Sequence, residues 1–226
     1  MATRYEKLMN SELNRFWGMD YYAFIHNVLG DVTTKPSELV LDIATGTAFI
    51  PRIMVQKEQK FSRIVGLDIT LEMLRNGKKL VGDQEGNRTI DFVCASAHEM
   101  PFQPNTYDRA VCCLATHHMS VDKLLSQIKF ALKPGAVFHI GDVGGSSKWK
   151  IGFIRTVIKV FAFIYFLVTE NYSRARAESE AVANVMTSEE WREKIVQQGF
   201  EDIQIREVQS SKFWAPNPII IQARKN

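Results

Sequence analysis

The stretch ELVLDIATGTAF, residues 38–49, contains the change of pattern that decides the fold. Its first six residues are mostly apolar and indicate a buried strand that ends at Ile43. The segment 42–48 follows as a loop around Gly46, and a helix is predicted near 48–57. A tight turn between a strand and a helix places backbone N–H groups and a helix N-terminus beside a ligand. We therefore predict a ligand-binding loop at residues 42–48.

Short apolar runs alternate with longer amphipathic stretches through most of the chain. A turn is expected at 82–88, and one helix is expected to end at the stop signal Lys133-Pro134-Gly135. The further predicted strands are 63–68, 90–94, 109–114, 136–142, 202–208 and 219–224, and the further helices are 71–80, 121–132 and one that starts at the capping pair Thr187 and Glu190 and runs to Gly199. This order predicts an α/β fold: a Rossmann-like, doubly wound, mainly parallel seven-stranded sheet with helices on both faces.

Two regions do not follow this alternation and are the candidates for a lid: the residues before the first strand and the insert at 144–186. Amphipathic helices are predicted at 4–17 and 21–29, before the first strand. They either close over the ligand or pack against the sheet. We predict one domain, with an N-terminal helical cap at 1–37, a ligand-binding core at 38–143, a helical insert or lid at 144–186 and a C-terminal helix with strands at 187–226.

The charge and cysteine content exclude several classes of protein. The net charge is +3, and the 28 basic and 25 acidic residues are scattered, so the sequence does not predict a nucleic-acid-binding surface. Cys94, Cys112 and Cys113 lie in apolar runs that predict buried strands, without metal-type spacing to histidine. The N-terminus is too polar for a signal peptide. We expect reduced cysteines, no metal and a cytoplasmic protein.

The segment 151–168, IGFIRTVIKVFAFIYFLV, is about as long as a short membrane span. Arg155 and Lys159 interrupt it, and each would cost roughly 2.5 to 3.5 kcal/mol near a bilayer centre. We interpret it as an apolar helix without stable membrane insertion. Three roles stay open: packing on the core of its own domain, a substrate lid, and contact with a membrane surface.

The residues of the 42–48 loop discriminate between ligands. A dinucleotide site needs glycine at three positions that are here Ala44, Gly46 and Phe49, so a nicotinamide cofactor is disfavoured. S-adenosylmethionine (SAM) needs an acceptor for its ammonium group, a glycine for close backbone approach, and a carboxylate for its ribose diol. Asp42 with the carbonyls of Ala44 and Gly46 suits the ammonium, and Asp68, at the end of the second strand, suits the diol.

Four motifs in order, LDIATGTAF, VGLDITLEML, AHEMPFQPNTYD and ALKPG, closely resemble class I SAM-dependent methyltransferases. The resemblance is greatest to the ubiquinone/menaquinone C-methyltransferase-like branch, methyltransferase type 11. It covers residues 38–142 strongly and 187–205 weakly. It implies a last strand that enters antiparallel, SAM as cofactor with S-adenosylhomocysteine as product, and a small-molecule acceptor.

The resemblance also implies the site residues. Asp42, Ala44 and Gly46 line the methionine part, and Thr45 and Thr47 shape the loop. The remaining implied contacts are Asp68 on the ribose, Ile69 and Met73 beside the adenine, Ala97 at the adenine edge and Leu114 under the sulfonium. Two positions depart from the family: Ser96 stands where an acidic residue is usual, and Ala48 where a third glycine is common. We expect these departures to rearrange cofactor contacts without removing them.

His117 and His118, in the loop after the fourth strand, are the candidates for catalysis. Histidine can accept a proton at neutral pH, and a base is needed only if the acceptor must lose one. His118 is the first choice because relatives carry histidine there. The alternative is that the pair only supports the loop or positions substrate. Tyr5, Tyr21 and Tyr22 either reach the cofactor or acceptor from the N-terminal helices or, as tyrosines at helical spacing more often do, only pack there.

The expected function is methyl transfer from SAM to a small, largely apolar acceptor, either an aromatic or prenylated ring or a secondary metabolite. Carbon is the first choice of methylated atom, with oxygen and nitrogen left open. Two alternatives remain: a membrane-peripheral quinone methyltransferase, and a SAM-binding protein of this fold that does not transfer methyl groups, such as a cyclase or a regulator. The sequence leaves open whether the chain forms a homodimer.

Overall fold

A computed structural model describes residues 2–30, 34–57, 60–82, 89–146, 151–212 and 215–226. The helices of the described residues are α1 (Ala2–Trp17), α2 (Tyr21–Leu29), α3 (Phe49–Gln56), α4 (Leu71–Val81), α5 (Val121–Ala131), α6 (Gly152–Thr169), α7 (Tyr172–Ala181) and α8 (Ser188–Gln197). The strands are β1 (Leu39–Ile43), β2 (Arg63–Asp68), β3 (Thr89–Cys94), β4 (Tyr107–Cys113), β5 (Leu132–Val143), β6 (Phe200–Glu207) and β7 (Pro218–Lys225). The predicted turn at 82–88 falls mostly outside the described residues.

The strands form one seven-stranded sheet in the order β3-β2-β1-β4-β5-β7-β6. The first five strands are parallel, and β7 runs antiparallel to β5 and to β6. The predicted fold class and the antiparallel last strand are therefore confirmed. The strand order reverses between β1 and β4, and open parallel sheets bind ligands at the carboxyl ends of the strands beside such a reversal.

Both faces of the sheet are covered by helices. Successive residues of β1 point to opposite faces, so Val40 and Leu41 belong to two separate apolar clusters. The Leu41 cluster includes Leu124 of α5 and Trp191 of α8. The Val40 cluster includes side chains of α1, α2 and α3, among them the fully buried Phe24. The apolar side chains of the central strands are therefore already covered by helices on both faces.

The predicted boundary between α5 and β5 was wrong. Helix α5 ends at Ala131, and β5 begins at Leu132 and continues through the Lys133-Pro134-Gly135 signal. Leu132 pairs with Tyr107, and the register of β5 against β4 then shifts. Gly135 lies in this irregular part of β5 and has a φ of 78°, which glycine adopts without strain. The other predicted elements agree within a few residues, and the capping box of Thr187 and Glu190 is present.

One prediction of burial was also wrong, and one of the three roles left open for the segment 151–168 is excluded. Cys94 is exposed, because it ends β3 at the edge of the sheet, whereas Cys112 and Cys113 are buried and reduced as expected. Helix α6 has no buried residue, so its packing on the core of its own domain is excluded. The helix is long and apolar enough to cross a membrane by length and composition alone, with a mean hydropathy of 1.7.

Candidate active site

The loop after β1 makes a sharp turn at the reversal of strand order. Ala44, Gly46 and Ala48 all have positive φ angles, of 57°, 55° and 59°. The carboxylate of Asp68, at the end of β2, fixes this turn: its Oδ2 accepts from the Gly46 N–H at 2.9 Å and its Oδ1 from the Thr70 N–H at 2.8 Å. Asp68 therefore joins the loop to the start of α4.

Asp42 is buried beneath the loop, with 1% of its surface exposed. Its Oδ2 accepts from the Thr45 hydroxyl at 2.5 Å, while its Oδ1 is buried without a hydrogen-bond partner among the described residues. Burial, and to a lesser extent the charge of Asp68, raises the pKa of Asp42 to about 7, although the Thr45 hydrogen bond lowers it. A buried carboxylate with an unpaired oxygen is costly unless a donor or cation meets it. The arrangement fits a cationic ligand.

Helix α4 approaches the loop closely enough to require glycine. A Cβ on Gly77 would lie 3.0 Å from the backbone carbon of Thr47. Met73, one turn earlier, lies over the loop, with its Cε 3.4 Å from the position of a Cβ on Gly46. Of the two residues predicted beside the adenine, Met73 therefore contacts the loop, and Ile69 follows Asp68 with 73% of its surface exposed.

Helix α1 lies across the outer side of the loop. Glu6 accepts from the Thr47 hydroxyl at 2.8 Å and pairs with Arg52 at 2.7 Å. The Tyr21 ring of α2 stacks on Phe49 with a centroid distance of 4.1 Å. The N-terminal helices therefore contact this loop and also pack against the sheet, and packing against the sheet is one of the two roles that the sequence left open.

Two tyrosines of these helices have phenol groups close to the carboxylates of the site. Burial raises the pKa of Tyr21, with the nearby charge of Asp42 adding to it. Burial likewise raises the pKa of Tyr5, while Arg174 opposes the shift and Asp68 adds to it. Tyr5 and Tyr21 are therefore buried near charged groups of the site, whereas Tyr22 is 44% exposed.

His117 forms a buried pair with Asp142. His117 lies in a 3-10 turn, Thr116–His118, directly after β4, and Asp142 lies near the end of the neighbouring β5. The Nδ1 of His117 is 2.6 Å from the Oδ1 of Asp142, which also accepts from the Val143 N–H at 2.7 Å. The Oδ2 accepts from the Thr116 N–H at 2.7 Å and from the Thr116 hydroxyl.

The two groups of this pair shift each other's pKa. Burial would lower the pKa of His117, but the charge and hydrogen bond of Asp142 raise it above its usual value on balance. Burial would raise the pKa of Asp142, but the His117 charge and the hydrogen bonds lower it on balance. Asp142 is therefore an ionised carboxylate that fixes the orientation of the imidazole ring.

His118 faces a charged cluster on α7. Its Nε2 is 3.6 Å from the Oε1 of Glu178, and its side chain is 38% exposed, against 11% for His117. Arg174 pairs with Glu178 at 2.8 Å and with Glu12 of α1 at 3.7 Å. These ion pairs join the turn after β4, the insert and the N-terminal cap.

The same cluster offers metal ligands that the sequence did not predict. One ligand atom each of His117, His118 and Glu178 lies within 4.8 Å of the others. The carboxylate of Glu178 already has a positively charged partner in this cluster, the guanidinium of Arg174. Sixty residues separate Glu178 from the histidine pair, so the spacing along the chain gave no sign of this arrangement.

The other residues predicted from the resemblance occupy the neighbouring strand ends. The Ser96 hydroxyl accepts from the His98 N–H at 3.1 Å, and Ala97 packs against the core. Leu114 has a φ of 53° and donates its N–H to the Gly141 carbonyl at 2.8 Å. They lie in the loops after β3 and β4.

Four contacting residues were missed by the sequence reasoning: Glu6, Gly77, Asp142 and Glu178. A signal for Asp142 was present, because an acid near the end of one parallel strand lies near a histidine that follows the adjacent strand. Gly77 stood inside a predicted helix, where glycine often has a packing reason. Glu6 and Glu178 lie on helices whose placement depends on tertiary packing.

The sequence of the chain is similar to that of known proteins. Residues 41–140 match the family described as "Methyltransferase domain". The ubiquinone/menaquinone biosynthesis C-methyltransferase UbiE of Rickettsia prowazekii (strain Madrid E) is 26% identical over 205 residues, which cover 87% of this chain and 78% of that protein. The chain is a SAM-dependent methyltransferase, and over most of its length it is similar to the UbiE C-methyltransferases.

Solved structures agree with this assignment at the level of the fold. A SAM-dependent methyltransferase from Aquifex aeolicus has a TM-score of 0.61 and 17% identity, over 99% of this chain and 97% of that one. The cyclase SpnF has a TM-score of 0.67 and 15% identity, over 90% of this chain and 81% of that one. At these identities the likeness shows the fold alone, so it does not identify the methyl acceptor.

Proposed function

We propose that this methyltransferase transfers the methyl group of SAM to a carbon atom of a small, largely apolar aromatic acceptor of the quinone-precursor type. The observation that carries the proposal is the buried His117–Asp142 pair at the carboxyl ends of β4 and β5, the edge of the sheet that also carries the 42–48 loop. The UbiE relative, named as a C-methyltransferase of ubiquinone and menaquinone biosynthesis, supports the choice of carbon and of acceptor class.

The cofactor assignment rests on the donor and acceptor groups of the loop. The unpaired Oδ1 of Asp42 and the carbonyls of Ala44 and Gly46 would accept from the ammonium group of SAM. Each oxygen of Asp68 accepts one backbone N–H and keeps a lone pair for a ribose hydroxyl. The other residues assigned to the site are Thr45 and Thr47 in the loop, Ile69, Met73, Ser96 and Ala97 around the adenine, and Leu114 under the sulfonium.

The reaction needs a base as well as a methyl donor. SAM, when bound, supplies an electrophilic methyl group, and a ring carbon that accepts it must lose a proton, or an activating hydroxyl must. Because Asp142 engages the Nδ1 of His117, the Nε2 is the atom that can accept this proton. We assign the base to His117 and a positioning role to His118, which reverses the order that the sequence suggested.

Methyl transfer to a defined acceptor tests the proposal. Purified protein is incubated with SAM and three acceptors: a prenylated hydroquinone, a catechol and a primary amine. We expect S-adenosylhomocysteine to form with the hydroquinone, and NMR of the product to show a carbon-bound methyl group. Methylation only at oxygen or nitrogen would contradict the acceptor class. Tight binding of SAM without turnover of any acceptor would instead favour the alternative of a non-methylating protein such as a cyclase.

The affinity for SAM should fall as the pH is lowered below about 7, the raised pKa of Asp42. The ionised carboxylate is the form that binds a cation, and protonation removes its charge, so each pH unit below this value should weaken binding up to about tenfold. The α-amino group of SAM stays protonated in this range, since its usual pKa is about 7.7 to 8.

Isothermal calorimetry between about pH 7 and about pH 5.5 measures this dependence. The control is Asp42→Asn, whose affinity should be weaker and much less sensitive to pH because its amide does not titrate. Equal wild-type affinity at both ends of the range would show that Asp42 does not bind the charged tail of SAM.

We further place the protein in the cytoplasm as one domain, with the small-molecule acceptor as its partner and no role for nucleic acid. The nearly balanced charge, +3 from 28 basic and 25 acidic residues, argues against a nucleic-acid partner, and the free cysteines suit a reducing compartment. Size-exclusion chromatography with light scattering determines whether it is a monomer or a homodimer.

A further inference from the structure

Helix α6 carries a continuous row of exposed apolar side chains, the α6 stripe. Three of its members are almost fully exposed: Phe153 at 79%, Phe161 at 70% and Val168 at 79%. The stripe consists of Phe153, Val160, Phe161, Ile164, Leu167 and Val168. At the period of an α-helix these positions share one face. A row of this length on one helix marks an interaction surface, whereas single exposed apolar residues are common.

The opposite face of α6 is occupied by the protein itself. The Tyr165 hydroxyl accepts from Arg15 of α1 at 3.0 Å, and the Tyr165 ring contacts Phe16 with a centroid distance of 5.5 Å. The Phe166 ring lies 5.7 Å from the guanidinium of Arg174 on α7. These contacts fix the rotation of α6 about its axis, and they direct the stripe away from α1 and α7.

The charges of this region are all of one sign. Between residues 147 and 169 the sequence contains Lys148, Lys150, Arg155 and Lys159 and no aspartate or glutamate. Arg155 is exposed, and within the described part of the chain neither it nor Lys159 forms a salt bridge. An apolar face combined with basic residues is the composition of a helix that lies in the interface of an anionic membrane.

We propose that the α6 stripe docks on the surface of a bilayer that contains anionic phospholipids, with the helix parallel to the membrane plane. A transmembrane orientation would have to break the contacts of Tyr165 and Phe166 with α1 and α7 and bury Arg155 and Lys159 in the hydrocarbon. A second copy of the chain is a poorer occupant. Stripe-to-stripe packing would bury the apolar side chains but would bring no acid from α6 to this basic segment, because residues 147–169 contain none, whereas anionic headgroups supply the opposite charge.

Docking through α6 has a consequence for the acceptor, and this consequence rests on the proposed function. Helix α6 contacts α7, and Glu178 of α7 contacts His118 beside the proposed base. A lipophilic ring that leaves the bilayer at α6 would therefore reach the carboxyl edge of the sheet along α7. The membrane-bound enzyme would take an acceptor that is itself dissolved in the lipid.

Vesicle flotation of the full chain tests the docking. The vesicles contain phosphatidylcholine with phosphatidylglycerol, or phosphatidylcholine alone. We expect the wild-type protein to float with the anionic vesicles, to float less with neutral ones, and to lose binding as salt is raised. Phe153→Glu/Phe161→Glu should reduce partition at least about tenfold, because it replaces two large apolar anchors with charge. Both side chains are exposed, so folding should be unaffected, and thermal unfolding checks this.

The matched control is Phe130→Glu, which changes a 48% exposed phenylalanine on α5 and should float like the wild type. Wild-type protein that stays unbound with anionic vesicles, or a double variant that floats normally, would overturn the proposal. So would a wild-type dimer that becomes a monomer in the double variant without any vesicle binding. Methyl transfer to a water-soluble acceptor should be unchanged in the double variant, so that loss of docking and failure of the proposed reaction are distinguished.

Discussion

Replacing His117 with alanine should lower kcat for methyl transfer by about 10²- to 10⁴-fold, the usual contribution of a positioned general base. The imidazole is buried and held at Nδ1 by an ionised carboxylate, so its other nitrogen can accept the proton that the acceptor loses. The affinity for SAM should be unchanged, because the cofactor loop follows β1 and is held by Asp42, Asp68 and Glu6, whereas the side-chain partner of His117 is Asp142. Single-turnover kinetics and calorimetry measure the two quantities separately.

The pH dependence distinguishes a base from a structural histidine. His117 must be neutral to accept a proton, and Asp142 raises its pKa, so wild-type activity should be lost as the pH falls through this raised value. In Asp142→Asn the charge that raises the pKa of His117 is absent. The acidic limb of the profile should therefore move to lower pH, while the maximal rate decreases because the ring is less well oriented.

His118→Ala is the matched control for His117→Ala. The His118 side chain is more exposed and its Nε2 lies 3.6 Å from Glu178, without a buried carboxylate such as Asp142 to orient it, so its loss should have a smaller effect on kcat. A loss in His118→Ala equal to or greater than that in His117→Ala would return the base to His118. An unchanged kcat in both variants would remove general-base catalysis from the proposal.

The sheet could be predicted from sequence because its strands are locally distinctive. Strand β2 was predicted with its observed bounds, Arg63–Asp68, since apolar residues end there at a single acid. The position of Asp68 at the carboxyl edge beside Gly46 followed from parallel pairing of β1 with β2. The position of Asp142 beside His117 could not be predicted in this way. It depends on β4 and β5 being neighbours, with Cys113 opposite Gly141. Strand adjacency is a long-range property that one strand's sequence does not contain.

The position of α6 could not be predicted from its composition. A largely apolar helix is often buried, and packing on the core was one of the three roles that the sequence left open for it. The outcome depended on which apolar surfaces of the sheet were still uncovered, and those of the central strands are already covered by α2 and α3 on one side and by α5 and α8 on the other. The charged residues of α7 were unassigned for the same reason, because their partners Glu12 and His118 come from distant parts of the chain.

Replacing Asp68 with alanine should weaken SAM binding by about 1.5 to 3 kcal/mol, the usual worth of hydrogen bonds to a charged group. This corresponds to roughly a 10- to 150-fold increase in Kd. The carboxylate is expected to accept from the ribose hydroxyls, and its removal also leaves the N–H groups of Gly46 and Thr70 without their acceptor, so the loop should lose its fixed shape.

Calorimetry with S-adenosylhomocysteine measures the change in affinity. Asp91→Ala, which removes a half-exposed carboxylate paired with Arg63 on the neighbouring strand, is the control and should bind normally. Unchanged affinity in Asp68→Ala would refute the ribose assignment, and with it the cofactor site proposed at the end of β2.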